Sequence, residues 1–135
     1  MAFSTLSPKE KLEKALDSLF PVLGSDNWYS RVFAREVLSP SPVFAPMIRV
    51  EVEPKIAVIS AILSDLTQIP QGNPALVRCL LNLLSPFMIL LIADKAAISQ
   101  ALPIFNQSKE ELVEHMKRYA LAGLNAIAQQ YASNK

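Results

Sequence analysis

An all-α fold is what this sequence predicts, and three observations predict it. Apolar residues recur at three- and four-residue spacing through most of the 135 residues, as one buried face of a helix requires. Helix-start signals stand directly ahead of those runs: Ser-x-x-Glu capping boxes at Ser7–Glu10 and Ser108–Glu111, and serine- or asparagine-proline pairs at Ser41-Pro42 and Asn73-Pro74. Strand signals are scarce. Only Arg49-Val50-Glu51-Val52-Glu53 alternates, it has no second alternating run to pair with, and three glycines leave little for tight hairpins.

Each element can be justified in order. A helix over about 8–22 opens at the Ser7 box with Pro8 in its first turn. Leu12, Ala15, Leu16, Leu19, Phe20 and Leu23 form its apolar stripe, and Pro21 and Gly24 mark its end. A second helix opens near Asp26 or Asn27 and runs through Trp28, Val32, Phe33, Val37 and Leu38. Ser39-Pro40-Ser41-Pro42 stops it, because proline lacks a donor and pushes the residue before it out of the helical region. A long third helix over about 42–68 takes Ser41 as cap and Pro42 as first residue, absorbs the alternating stretch, and is expected to bend near Pro54. Its apolar positions are Ile56, Ile59, Ile62, Leu63 and Leu66. After a loop at Gln71-Gly72-Asn73-Pro74, a fourth helix carries Leu76, Cys79, Leu80, Leu83, Leu84, Phe87, Met88 and Leu91. It is apolar nearly all round, so it is central or lies in an interface. The stretch over about 94–107 is poorly periodic and is expected to cross without regular structure. The last helix opens at Ser108 and carries Leu112, Met116, Tyr119, Gly123 and Ile127, widened by Ala120, Leu124 and Tyr131; Ala132 to Lys135 are expected to fray. The result is one domain over 1–135, an orthogonal bundle of five to six helices.

Composition narrows the function. Hydrophobic residues are 51% of the chain, enough for a real core, so disorder is excluded for most of its length. A formal charge of +1 makes no field that would gather phosphates, which argues against nucleic-acid binding by this chain alone. The strongest apolar run, Leu80 to Ala93, falls short of the roughly 20 residues a spanning helix needs. The N-terminus has neither the basic nor the apolar region of a signal peptide, and a single cysteine excludes a disulfide framework, so a reducing cytoplasm is the expected compartment.

Few residues offer chemistry. Glu111 and His115 share a helix face and can chelate a cation, but the third and fourth ligands are missing, so a surface or seam histidine is preferred and no metal or cofactor is expected. Cys79, flanked by Leu80 and Leu81, reads as an inert buried thiol. Arg31 and Arg35 stack on one face and can either hold an anionic effector or pair with Glu51 or Glu53. Asn82 and Ser85, polar groups in a greasy helix, need a ligand, a water or a facing helix to satisfy them. No triad, phosphate loop or carboxylate pair can be assembled, so an enzyme is not expected.

Three segments, in order and spacing, resemble the C-terminal domain of tetracycline-repressor-like (TetR) transcriptional regulators: the block Phe33-Ala34-Arg35-Glu36-Val37-Leu38-Ser39-Pro40-Ser41-Pro42, a long helix with Glu53-Pro54 at mid-length, and Tyr119-Ala120-Leu121-Ala122-Gly123-Leu124 in the last helix. The likeness covers about residues 8–130. It implies a homodimeric effector-binding domain. The last two long helices would pair with their copies through Leu80, Leu84, Leu91, Met116, Tyr119, Ala120, Gly123 and Ile127. A small apolar or amphipathic effector would sit among the other helices, near Trp28, Arg31, Phe33, Arg35, Phe44, Met47, Asn82, Phe87 and Met88. The family's helix-turn-helix head has no counterpart in the pattern, so the chain reads as a separated or naturally short sensor domain that reaches DNA only through a missing head. The alternative is a free-standing helical interaction protein that pairs with a regulator or acts as a scaffold.

Overall fold

The computed structural model describes residues 5–23, 32, 35–36, 39–92, 95–104 and 106–134. Among them are five helices and no strand: α1 (Pro8–Leu23), α2 (Ala45–Thr67), α3 (Pro74–Ile92), α4 (Lys95–Ala101) and α5 (Lys109–Ser133). The all-α expectation holds. The alternating stretch at 49–53 lies inside α2, where Arg49 and Glu53 sit one turn apart with Nε to Oε1 at 3.8 Å. Glu53 therefore has a partner along its own helix; Arg31, one of the two cross-helix partners expected for Glu51 or Glu53, lies outside the described residues.

The first capping box is fully formed. The Ser7 hydroxyl accepts from the Glu10 amide at 3.2 Å, and the Glu10 carboxylate accepts from the Ser7 amide and hydroxyl at 3.3 and 2.9 Å. Two orphan donors are thereby satisfied reciprocally. The second box is half formed. Ser108 Oγ accepts from the Glu111 amide at 3.3 Å, but it is Glu110, not Glu111, whose carboxylate accepts from the hydroxyl.

Several boundaries move, each for a local reason. Most of the second predicted helix, including Trp28, Arg31 and Phe33, lies outside the described residues; Val32, Arg35 and Glu36 within it are helical. α2 starts at Ala45, three residues later than expected, because Pro42, Val43 and Phe44 form a turn capped by Ser41. The Ser41 hydroxyl accepts from the Phe44 amide at 3.1 Å and its carbonyl from the Ala45 amide at 3.0 Å, so Pro46, not Pro42, occupies the first turn. Pro21 and Pro54 are carried inside helices. The aperiodic crossing contains the seven-residue α4, and Ala132 and Ser133 remain helical.

The corner between α2 and α3 is tightly bonded. Gln68 turns left-handed at φ 60°, and its amide donates to the Ser64 carbonyl. The buried Thr67 hydroxyl donates to the Leu63 carbonyl at 2.7 Å and accepts from the Ile69 amide at 3.3 Å. Ser64 Oγ donates to the Ile69 carbonyl at 2.6 Å. Gly72, at φ 89°, completes a turn in which the Asn73 amide donates to the Pro70 carbonyl. A positive φ at that position is what selects glycine. Asn73 then caps α3, accepting from the Ala75 amide at 2.9 Å.

These corners bring α1 against α2, α3 and α5, and α5 against α2 and α3. One core results: Leu12 and Leu16 from α1, Ile59, Ile62 and Leu63 from α2, Ile69 from the corner, Leu76, Cys79, Leu83 and Phe87 from α3, and Leu124 from α5. The predicted stripes of these helices supply nearly all of it.

Candidate functional site

α3 and α5 turn apolar side chains outward. Val77, Leu81 and Ile89 on α3 are 62%, 64% and 54% exposed, and Tyr119 and Ile127 on α5 are 76% and 38% exposed. Val77 and Leu81 are one turn apart, Ile89 two turns further on, and Tyr119, Gly123 and Ile127 also follow at four-residue spacing, so each set forms one stripe. A Cβ placed on Gly123 would meet nothing within 4 Å, so the protomer's own packing does not require glycine there.

The residues expected at a pairing seam divide. Tyr119, Gly123 and Ile127 face outward. Leu80, Leu84, Met116 and Ala120 are half-buried and pack against the protomer's own core, and on α3 Leu81 takes the outward place. The physical reason is that α3 is apolar on every side, so its periodicity could not say which leucines its own chain would cover. The Leu91 side chain lies outside the described set.

Of the residues expected at an effector pocket, Trp28, Arg31 and Phe33 lie outside the described residues, and the others are placed as follows. Phe87 is a core residue, and Met88 beside it is half-buried. Asn82 points to solvent, which removes the need for a buried partner, and Ser85 Oγ donates to the Leu81 carbonyl one turn back. Phe44 and Met47 are exposed at the start of α2, and Arg35 is exposed. The surprise in this block is Glu36. It is 4% exposed, and its Oε2 accepts from the Ser41 amide at 2.7 Å. Pro40 and Pro42 have no amides to offer, so Glu36 serves the one donor between them and pins the corner into α2. A glutamate five residues before a serine flanked by prolines is the signal that could have found it.

The described surface carries a groove of about 580 Å³ between α1 and α5. Leu66, Leu121 and Leu124 contribute apolar surface, and Lys9, Glu13, Glu114, Lys117 and Arg118 contribute charge. Lys117 is the structural link. Its Nζ lies 2.6 Å from Asp17 Oδ1 on α1 and 4.0 Å from Glu114 Oε1. The hydrogen bond to Asp17 leads in raising its pKa, ahead of the opposing effect of burial. A shallower groove of about 350 Å³ involves Glu110, Glu111, Glu114, His115 and Arg118. His115 stacks obliquely on Tyr119, with ring centroids 6.0 Å apart, and no cluster of three metal-ligating side chains occurs among the described residues. Cys79 is buried, and burial raises its thiol pKa against a smaller lowering by Arg78. A neutral, enclosed thiol is a poor nucleophile.

Residues 8–127 match the family described as HTH-type transcriptional dual regulator CecR, C-terminal domain. The chain belongs to that family. The CecR C-terminal match begins at Pro8, the first residue of α1, and ends at Ile127 on the outward stripe of α5, so it takes in the whole described core. The expected likeness to a regulator's C-terminal domain is thus met at the level of the family. No curated protein matches the chain. No helix among the described residues is long and apolar enough to cross a membrane.

Proposed function

We propose that this chain is the effector-binding and dimerisation domain of a TetR-type transcriptional regulator, working by binding and without catalysis. The observation that carries the reading is the pair of outward apolar stripes on α3 and α5. Apolar side chains at helical spacing on two neighbouring helices are better covered than hydrated, and burial of each stabilises the covered state by roughly 25 cal/mol per Å² removed from water. A second copy covers them most economically, because a two-fold axis lets one patch serve both partners. The CecR C-terminal family supports the regulatory context.

The effector is a small apolar or amphipathic molecule. Its contacts are assigned to Trp28, Arg31, Phe33, Arg35, Phe44, Met47, Asn82, Phe87 and Met88. Such a molecule signals by binding one arrangement of the helices better than another. DNA would be reached through a helix-turn-helix head, and the protein would act in the cytoplasm.

Light scattering at micromolar concentration tests the pairing. The wild type should give the mass of two chains and Leu81→Glu the mass of one with an unchanged circular dichroism spectrum. A single-chain mass for the wild type refutes the reading. A thermal-shift screen of apolar and amphipathic compounds tests the effector, since a ligand bound only by the native state raises the melting temperature.

A further inference from the structure

The groove between α1 and α5 involves none of the residues assigned above to effector or seam. Its charges are unequally committed. Asp17 and Glu114 lie within 4.0 Å of Lys117, and Glu13 also acts on that ammonium. Lys9 on α1 and Arg118 on α5 both contribute to the groove, and neither has a carboxylate within 4.0 Å among the described residues. Beside them lies the apolar surface of Leu66, Leu121 and Leu124. At about 580 Å³ the space falls within the range of roughly 300–1,000 Å³ that small-molecule sites occupy.

We propose that this groove is a second ligand site, for a small amphipathic carboxylate. Its apolar body lies along Leu66, Leu121 and Leu124, and its carboxylate takes two hydrogen bonds from the Arg118 guanidinium, with the Lys9 ammonium contributing from α1. A planar guanidinium matches a carboxylate bidentately, and such charge-assisted bonds are about twice as strong as neutral ones. Asp17, the nearest carboxylate to Lys117, is committed to that ammonium at 2.6 Å, while Glu110, Glu111 and Glu114 border Arg118 on the second groove without coming within 4.0 Å of it among the described residues. The three cations and three carboxylates of this region balance, so recognition is short-ranged, without long-range steering. Ala122 also belongs to the groove and adjoins Gly123 of the outward stripe, so an occupant touches the helix that carries the seam. The site stands on its own contacts, and its failure would leave the pairing and the other effector contacts untouched.

Amide chemical shifts of the ¹⁵N-labelled full chain, titrated with octanoate, 1-octanol and octylamine, test the site. Octanoate should move the Leu66, Leu121 and Asn125 amides saturably, with 1-octanol binding at least about tenfold more weakly and octylamine more weakly still. Arg118→Ala should weaken octanoate by about tenfold and Lys9→Ala by less, both at an unchanged melting temperature without ligand. Equal binding of octanoate and 1-octanol overturns the assignment. So do shifts confined to the outward stripes or to residues 28–35, an absence of saturation, or an Arg118→Ala variant that binds octanoate as the wild type does.

Discussion

Replacing Gly123 separates what the protomer needs from what a partner needs. Inside the protomer the glycine is a cost: in a helix interior it is destabilising by about 1 kcal/mol relative to alanine. An added Cβ would meet nothing within 4 Å, and the backbone is helical, so Gly123→Ala should recover that energy without a clash. For a domain of this size the gain corresponds to a melting temperature higher by about 3–5 °C. Across a pairing seam the sign reverses. Side chains added at a close helix crossing overpack it by about 1–3 kcal/mol, and a two-fold pair carries the substitution on both copies. Gly123→Leu should therefore raise the dimer dissociation constant by roughly five- to a hundredfold. The protomer term is read by urea unfolding of Gly123→Ala in a Leu81→Glu background, so that association does not enter the stability. The seam term is read by sedimentation equilibrium of Gly123→Leu. If Gly123→Ala destabilises the unpaired protomer, the outward position of this face is mistaken. If Gly123→Leu pairs as tightly as the wild type, α5 is not in the seam.

Three further outcomes follow from the packing. Leu63 is fully buried where α1 meets α2, so Leu63→Ala should cost about 2–5 kcal/mol in urea unfolding at constant m-value, and a loss below about 1 kcal/mol would deny it a core role. The Lys117 side chain is 15% exposed, but its partner Asp17 is more than half exposed, so Lys117→Met should cost only about 1 kcal/mol. Because the folded-state pKa of Lys117 is raised, that difference should be fully present from neutral pH up to the ordinary lysine pKa and vanish as pH rises through the folded value; a difference that instead disappears on acidification to neutral pH would contradict it. Cys79 should react with a thiol-exchange reagent about tenfold or more slowly in the native protein than in urea, and native-state labelling as fast as that of the unfolded chain would contradict its burial.

Much of this molecule is legible in the residues alone, and the legible parts are local. The start of α1 follows from the Ser7–Glu10 box, and the start of α3 from Asn73-Pro74, because a cap satisfies amides within a few residues of itself. The stripe positions Leu12 and Leu16, and Ile59, Ile62 and Leu63, became core as their spacing required. The alternating 49–53 stretch reads as helix because a strand there lacks a partner, glycines for turns are few and helical spacing resumes at Ile56, and it lies in α2. The α4 turn was missed because seven residues are too few to show a period.

The candidate sites were less legible, because they depend on which neighbour arrives. Along α3 every face is apolar, and Leu80 and Leu81 are equivalent by composition; only the docking of α1, α2 and α5 covers one and leaves the other in water. Glu36 drew no role of its own from the pattern, and the structure gives it the Ser41 amide left between two prolines. Asn82 seemed to need a partner until the packing turned it outward. The sequence by itself determined where the helices begin, which stripes are apolar and that the fold is all-α, since capping and periodicity act over one or two turns. Tertiary structure alone decided which apolar faces stay uncovered, that Lys117 of α5 meets Asp17 of α1, and that a groove opens beside them, since those contacts join residues far apart in the chain.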